Sequence, residues 1–490
     1  MGSAPHPMDN PQRAPQNTPA IVSPLDRARA KAYARLLPLL FVSYAIAYVD
    51  RVNVSLATIE MSKDLPDFNN AVVGFGAGVF FIGYFILEIP GTLLVEKWSA
   101  RKWICRIMVS WGILAAATAF VKTPFQFYAV RFLLGLAEAG FFPGVIVYLT
   151  HWFPGRDRAR ALSWFFIATP VANFISPKLS YFLLRIGTTE TVGDVTVHHP
   201  AVAGLQGWQW MYIAWGIPAV ILGILVLFEL PDWPKEARWL GADERDALEQ
   251  ELLREKEQHK GDHRHTNLLE ALAAAFQHPK VLLLAAAYFF VVTSSYGVEI
   301  FLPKILKKWY DLQLSELTWA VIIPPLGGLA GQLLVGWSSD RTGERRLHGS
   351  LPIYVGAVAL GCSVLIPASL SFNARLALAV GLFTVALMGL KSYMPAFWAL
   401  PSLLLTEAAA AGSIGLINSV GNLGGFVGPS VIGLVKTVTG SFERGILVLS
   451  LSMATSATII LLLGLGRRAA PAKPAAEADD PLAEEIHEPV

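Results

Sequence analysis

Apolar runs of about twenty residues recur along almost the whole chain, between residues 36 and 466. A helical run of this length matches the hydrocarbon core of a bilayer, because each helical residue advances the axis by about 1.5 Å. Only 16% of the residues are charged, whereas a soluble domain carries roughly a quarter. The alternating segments of about ten residues that mark a transmembrane β-barrel do not dominate. The chain is therefore predicted to be an all-α membrane protein.

The apolar runs form two sets of six, which predicts twelve transmembrane helices in two bundles, over 34–230 and 281–466. Between them, residues 231–280 have 19 charged residues in 50 and are predicted to form a cytoplasmic linker with short amphipathic helices. Residues 1–33 and 467–490 are expected to be disordered tails. The predicted spans are 36–58, 71–95, 103–121, 125–150, 159–186, 208–230, 281–303, 318–338, 349–369, 376–401, 410–435 and 443–466.

Short charged motifs repeat at an offset of 244 residues, which indicates two pseudo-symmetric halves. Glu96 and Arg101 lie at the loop after the second span, and Asp340, Arg341 and Arg345 lie at the loop after the eighth. Repeated halves of this kind build many secondary transporters, which bind substrate near the midplane between the halves. Lys and Arg are concentrated in alternate loops, so the positive-inside rule places both termini in the cytoplasm. We expect these five motif residues to control the conformational change.

Two adjacent charged residues, Asp50 and Arg51, lie deep inside the first span. A charge near the bilayer centre costs at least about 2.5 kcal/mol, and such residues are functional by default. Neighbouring residues of a helix point about 100° apart, so the two side chains cannot both face one partner. The structural alternative is an ion pair that packs helices, but a buried ion pair contributes little stability. A functional role is therefore favoured.

The fourth span contains Arg131 and Glu138, which are seven residues apart and therefore lie on nearly the same helix face. Glu138 falls near the middle of the membrane. Burial of a carboxylate without a permanent partner favours proton uptake. Glu138 is thus predicted to be the main proton carrier and Asp50 the second, against the alternative of a purely structural glutamate.

Further charged residues are predicted to shape a positive central cavity. Lys391 lies deep in the tenth span and Lys178 in the outer half of the fifth. Together with Arg51 they would suit an anionic substrate with two acidic groups. Glu299, near the outer end of the seventh span, would lie at the interface or gate the cavity. Glu88 is expected to join the charge network at the loop after the second span.

Polar and aromatic residues in the predicted spans would complete the cavity. Each of these residues could instead serve in helix packing or interhelical hydrogen bonding, and for any one residue taken alone this structural role is favoured. Asn418 and Asn422 are four residues apart and share one helix face, which strengthens that pair. The candidates are Tyr84, Asn173, Tyr296, Ser392, Tyr393, Trp398, Asn418 and Asn422.

Other functional classes lack a signature in this sequence. No Walker A, HExxH or nucleophile-elbow motif occurs, so an enzyme or a nucleotide-driven pump is not expected. The sequence contains no block of basic residues of the kind that would predict nucleic-acid binding. The two cysteines, Cys105 and Cys362, are too few for a disulfide framework or a cysteine metal site. We expect no cofactor and no metal, with a proton gradient as the energy source.

Several motifs occur in an order that is typical of one transporter family. GWSSDRTGERR resembles the signature of the major facilitator superfamily after its eighth span. YVDRVNVSLA, RFLLGLAEAGFFPGVIVYLTHWFP and INSVGNLGGFVGP resemble the anion:cation symporter family within it. Bacterial members of that family import tartrate, galactonate, phthalate or hydroxyphenylacetate with protons, and animal relatives include sialin and the vesicular glutamate transporters.

This resemblance implies a role for each matching residue. Asp50 and Glu138 would take up and release protons, and Arg51 would bind the substrate carboxylate. Arg131 would pair with Glu138 or modulate it. Two further residues, Tyr84 and Asn418, would line the substrate site.

The chain also departs from the family at three positions. Trp215 stands where relatives often carry a glutamate, and Lys178 and Lys391 stand where neutral residues are usual. The added positive charge favours a substrate with two or more negative charges over the substrate of any one relative.

The predicted function is import of an organic anion with protons, by alternating access, in the bacterial inner membrane. A sugar acid, a dicarboxylate or an aromatic acid would be the substrate. The partners would be this anion, protons and the lipid bilayer, with no nucleic acid, and the protein would act as a monomer. An exporter or antiporter on the same fold is the first alternative, and a membrane sensor without transport is the second.

Overall fold

The protein is described by a computed structural model that covers residues 23–97, 99–192, 195–258, 276–401 and 407–465. Helices dominate, and the described strands form one short hairpin, which confirms the all-α class. Ten helical segments are long and apolar enough to cross a membrane. Two further helix pairs occupy the positions of the predicted fifth and eleventh spans. The count of twelve and the cytoplasmic termini remain predictions.

The helices of the first half are α1 (Pro24–Asp64), α2 (Asn70–Lys97), α3 (Ala100–Ala117), α4 (Pro124–Glu138), α5 (Phe141–Thr150), α6 (Gly155–Phe166), α7 (Ala168–Leu184) and α8 (Gly207–Glu229). Strands β1 (Thr189–Val192) and β2 (Val195–His198) pair antiparallel between α7 and α8. Helix α9 (Ala242–Gln258) follows in the predicted linker.

The helices of the second half are α10 (Pro279–Tyr310), α11 (Leu314–Thr342), α12 (Arg346–Cys362), α13 (Phe372–Ser392), α14 (Met394–Trp398), α15 (Glu407–Asn422), α16 (Gly424–Thr439) and α17 (Phe442–Leu463). Short 3-10 turns cover Thr118–Phe120, Pro234–Glu236 and Ser363–Leu365.

Each half packs mainly on itself, and a few helix pairs join the two. In the first half α3 lies along α8 and α2 along α4, and in the second half α11 lies along α13 and α12 along α17. The helix pairs α1–α10, α2–α16 and α7–α11 connect the halves. Helices α2 and α16 approach closely, since the amide of Ala71 donates to Thr437 Oγ1 at 2.9 Å. The candidate site lies among helices from both sides of this interface.

The fourth and tenth spans are broken helices, and each break lies beside a predicted site residue. Gly140 separates α4 from α5 with φ of 84°, a left-handed conformation that glycine adopts readily. Pro143 has no N–H group to donate to the carbonyl four residues earlier, which weakens the helix at this point. Pro395 likewise cannot donate a hydrogen bond to the carbonyl of Lys391, four residues earlier. The breaks thus place Glu138 and Lys391 in the last turns of their helices, in mid-span.

The first helix begins earlier than predicted, which corrects the expected tail over 1–33. Helix α1 starts at Pro24, and Ser23 caps it by accepting a hydrogen bond from a first-turn amide. Lys31 Nζ then lies 2.7 Å from Glu244 Oε2 on α9. The sequence prediction missed this start because the charged turns of α1 are stabilised by acids that lie far away in the chain. Residues 1–22 lie outside the described part, as do 259–275 of the predicted linker.

Replacing Glu244 by glutamine should loosen α9 from α1. The hydrogen bond from Lys31 Nζ holds the pKa of Glu244 below its usual range. Because the pKa of this carboxyl is lowered in the folded state, the contact stabilises the fold at pH values above the ordinary glutamate pKa of about 4.3. The stabilisation is lost as the pH falls through the folded-state pKa. We therefore expect lower protection of the α9 amides, after correction for the pH-dependent intrinsic exchange rate, in Glu244→Gln at pH 7 and in the wild type on acidification. Glu257→Gln, on the exposed side of α9, is the control, and equal exchange in both variants would contradict the contact.

Candidate functional site

The two adjacent charges of α1 face different partners, as helix geometry requires. Arg51 forms an ion pair with Glu138 of α4, with Nε donating to Oε1 at 2.6 Å. Asp50 is 2% exposed and accepts a hydrogen bond from Trp111 Nε1 of α3 at 3.2 Å. Adjacent residues of α1 therefore contact two different neighbouring helices, α3 through Asp50 and α4 through Arg51.

Glu138 has one oxygen engaged and one free. Its side chain is 0% exposed, and Oε2 has no hydrogen-bond partner among the described residues. A buried acceptor without a partner costs about 1–3 kcal/mol. A proton on Oε2 would also remove the negative charge that neutralises Arg51. Protonation of Glu138 and release of Arg51 are therefore chemically linked.

The resemblance offered a pair between Arg131 and Glu138, and the structure contains a different arrangement. Arg131 Nε donates to the backbone oxygen of Gly76 at 3.4 Å, and its guanidinium lies 5.0 Å from the ring centroid of Phe80. The carboxylate of Glu138 is instead occupied by Arg51 from the adjacent helix. Seven residues of helix separate Arg131 from Glu138 by about 10 Å along the axis. A modulating role of Arg131 remains a prediction.

Two aromatic rings of α2 also contact Arg51. Its guanidinium carbon lies 5.7 Å from the ring centroid of Phe80 and 5.3 Å from that of Tyr84, both on α2. Such cation–π contacts contribute about 0.5–2 kcal/mol. The side chain of Arg51 is nevertheless 21% exposed. Arg51 is thus held in place by α2 and α4 with part of its side chain exposed, and Tyr84 lies beside it.

Lys391 also has a carboxylate partner, Glu299. Lys391 Nζ lies 2.6 Å from Glu299 Oε1 and donates to Ser295 Oγ at 3.2 Å, and Ser295 Oγ donates to the same carboxylate oxygen at 2.9 Å. The predicted positive cavity is therefore corrected in one respect, because the charges of Arg51 and Lys391 are each balanced by an acidic partner. Helix α10 continues to Tyr310, about two turns beyond the predicted end of the span. Glu299 consequently lies deeper than the sequence suggested.

Glu88 of α2 faces the second half of the protein. Asn418 Nδ2 donates to Glu88 Oε1 at 2.5 Å, and Asn422 Nδ2 donates to Glu88 Oε2 at 3.3 Å. The prediction that Glu88 joins the charged loop after α2 is wrong, because its side chain meets α15 across the interface. The two asparagines share this partner in accordance with their spacing of four residues. This contact connects the halves directly.

Tyr296 and Asn173 lie in the interior, near the first helix of the chain. The ring of Tyr296 packs against Phe81 with a centroid distance of 4.4 Å. The side chain of Asn173 lies close to Tyr48 of α1. Both residues therefore remain candidates for lining the cavity.

Lys178 contacts aromatic rings of α7 and α11, a helix pair that connects the halves. Its Nζ lies 4.7 Å from the ring centroid of Phe174 and 4.6 Å from that of Trp319. These rings are 40% and 59% exposed. The contacts of Lys178 thus differ from those of Lys391, and a role of Lys178 in substrate binding remains a prediction.

Tyr393 and Trp398 belong to an aromatic cluster within the second half. The ring centroid of Tyr393 is 5.7 Å from that of Phe397, and the ring centroid of Trp398 is 5.0 Å from that of Tyr288. Ser392 Oγ donates to a carbonyl of its own helix at 2.5 Å. The contacts of Tyr393, Trp398 and Ser392 are therefore those expected from helix packing.

The motif residues of the two pseudo-equivalent loops lie at helix ends. The side chain of Glu96 lies outside the described part, although its backbone continues α2. The others contact neighbours close to the loops: Arg101 Nε lies 3.3 Å from Asp232 Oδ2, Arg345 Nη1 lies 2.6 Å from Asp340 Oδ1, and the guanidinium of Arg341 lies 5.4 Å from the ring centroid of Trp337.

Three contacts of the site were missed from the sequence. Trp111 and Ser295 are unremarkable within apolar runs, and only the fold brings them to Asp50 and Lys391. Glu299 was noticed as an intramembrane acid, but its partner was not. The internal repeat of the two halves is a sequence signal for this pairing. Once Arg51 of the first span is known to pair with Glu138 of the fourth, the repeat indicates a matching pair in the second half.

Comparisons with known proteins agree with this architecture. Residues 40–429 match the family model of the Major Facilitator Superfamily. The chain belongs to this superfamily. It is therefore an integral, multi-pass membrane transporter and not an enzyme, which confirms the predicted superfamily, fold and transporter class.

Curated relatives of this major facilitator transporter match it over most of their length. A protein named putative tartrate transporter from Agrobacterium vitis is 38% identical over 89% of this chain and 94% of its own length. A quinolone resistance transporter from Acinetobacter baumannii is 39% identical over 86% of this chain and 91% of its own length. The inward-open xylose transporter XylE from E. coli has a TM-score of 0.66 at 14% identity, covering 87% of this chain and 95% of XylE. That likeness concerns the fold alone.

Proposed function

We propose that this transporter imports an organic anion with protons across the bacterial inner membrane, as a monomer and without a cofactor. The observation that carries the proposal is the ion pair of Arg51 and Glu138, in which Glu138 is buried with a free oxygen and Arg51 is partly exposed. Arg51 can bind a carboxylate with two parallel hydrogen bonds. Glu138 occupies the position that a substrate carboxylate would take.

Charge balance explains how proton and substrate would be coupled. A substrate carboxylate would replace Glu138 at Arg51, and Glu138 would take a proton at Oε2. Both the empty and the loaded site then bury one anion beside the cation, whereas a half-exchanged site buries an uncompensated charge at a cost of about 3–5 kcal/mol. Only the balanced states would change conformation readily, which couples the two fluxes.

Other residues would support this cycle. Asp50, close enough to Arg131 for electrostatic interaction, is the second proton carrier. The contact of Glu88 with α15 would change when the halves rock. Tyr84, Asn173, Tyr296, Asn418 and Asn422 would line the substrate path. The relative named putative tartrate transporter supports an organic anion as the substrate.

The test is uptake by proteoliposomes that contain the full chain. A panel of radiolabelled sugar acids, dicarboxylates and aromatic acids would be offered with and without an inward proton gradient. Since one pH unit is worth about 1.36 kcal/mol per proton, electroneutral symport with one proton should concentrate the substrate about tenfold per pH unit. Equal uptake with and without the gradient would contradict the proposal.

A second candidate is export, by exchange for protons or anions, on the same fold. The relative named quinolone resistance transporter favours it. In the same proteoliposomes, an opposing proton gradient would then drive the accumulation. The direction of the effective gradient therefore separates the two candidates.

A further inference from the structure

The second half contains an ion pair that matches the first one in placement and has reversed polarity. In the first half the cation Arg51 lies on the first span and the anion Glu138 on the fourth. In the second half the anion Glu299 lies on its first span, α10, and the cation Lys391 on its fourth, α13. In transporters built from repeats, the substrate site lies near the midplane where the halves meet.

Both pairs are within electrostatic range of one set of tyrosines. Tyr296 is close enough to interact with Arg51 and Glu138 and with Lys391 and Glu299. Tyr44 of α1 also interacts with both cations. The two pairs therefore border the same region between the halves.

The Lys391–Glu299 pair remains accessible. The side chains are 27% and 18% exposed, respectively, although both lie in the membrane-spanning part of the protein. Lys391 fits closely against α11, because a Cβ added to Gly328 would lie 3.1 Å from Lys391 Cγ. The stem of Lys391 is thus held against α11, while the side chains of the pair keep part of their surface exposed.

We propose that Lys391 is a second anion anchor, so that the transporter prefers substrates with two carboxylates, and that Glu299 takes up a proton when the second carboxylate displaces it. This inference rests on the proposed function, since it assigns a second carboxylate subsite to the same cavity. A substrate with one carboxylate would displace only Glu138. A dicarboxylate would engage Arg51 and Lys391 together and carry one more proton.

The groups that face Glu299 are consistent with an exchange of partners. Lys391 of α13 is its ion-pair partner, and Ser295 of its own helix donates to it. Tyr48 of α1, Tyr296 of α10 and Tyr393 after α13 lie within electrostatic range. Lys391 is thus the cation that neutralises Glu299 in this structure. Displacement by a substrate carboxylate would thus leave Glu299 without a counter-ion and favour its protonation.

The test compares each diacid with its monoamide, which has nearly the same shape and one charge fewer. Binding of succinate and succinamate, and of terephthalate and terephthalamate, would be measured on the purified full chain without a gradient. Hydrogen bonds to charged groups contribute about 1.5–3 kcal/mol, so the diacid should bind at least about tenfold more tightly in one pair or both. A preference below twofold in both pairs would overturn the inference.

Variants identify the residues responsible. Lys391→Met should reduce the diacid preference to about one, and the double variant Lys391→Met/Glu299→Gln should do the same without leaving an unpaired charge. Lys308→Met, at an exposed lysine of α10, is the matched control and should keep the preference. Retention of the preference in the folded double variant would overturn the anchor.

The proton role of Glu299 has a separate readout. The number of protons taken up per bound diacid, measured from the pH dependence of binding, should fall by one in Glu299→Gln. An unchanged number would overturn this role. Because binding is measured without a gradient, these results are independent of the uptake test, and a failure of symport and a failure of the second anchor can be told apart.

Discussion

Glu138→Gln should abolish the concentrative uptake of a substrate with one carboxylate. Glutamine has nearly the same shape and can still accept a hydrogen bond from Arg51, but it cannot gain or lose a proton. The accumulation ratio at a pH difference of one unit should therefore fall from about ten to about one. Exchange of labelled for unlabelled acid should continue, because the variant resembles the protonated carrier.

The measurement is proteoliposome uptake with an imposed gradient, together with counterflow exchange. Glu229→Gln is the control, since Glu229 is exposed at the end of α8, and it should accumulate substrate as the wild type does. If Glu138→Gln still concentrated the acid tenfold, the coupling proton would be carried by another buried acid, Asp50 or Glu299, and the pair of Arg51 and Glu138 would serve only to position the substrate.

Gly135→Ala should destabilise the protein strongly, although it adds a single methyl group. The added Cβ would lie 1.9 Å from the backbone oxygen of Phe80, so α2 and α4 would have to move apart. Overpacking of this kind costs about 1–3 kcal/mol or more. Because the ring of Phe80 contacts both Arg51 and Arg131, substrate affinity should decrease together with thermal stability.

The measurement is thermal unfolding in detergent, followed by substrate binding on the folded fraction. The control is Gly381→Ala on α13, where the added Cβ meets nothing within 4 Å. Alanine has the higher helix propensity, by about 1 kcal/mol, so this variant should be at least as stable as the wild type. Equal melting temperatures for both variants would show that α2 and α4 tolerate a wider separation.

The sequence by itself determined the class of the protein and the identity of most site residues. Runs of apolar residues with the length of a bilayer leave few choices, because an unpaired backbone group in lipid is too costly for any structure other than a helix or a closed barrel. Charged residues inside these runs stand out for the same reason. Asp50, Arg51, Glu138 and Lys391 could therefore be selected before any contact was known.

Only the tertiary structure decided which of these residues meet. Arg51 pairs with Glu138, Lys391 with Glu299, and Glu88 with Asn418 across the two halves. A partner is set by helix rotation, by the depth at which a helix ends and by breaks beside Pro143 and Pro395. These depend on packing between helices that are distant in the sequence. The charge balance of the cavity follows from such contacts, because a cation is neutralised by the acid that lies next to it in space.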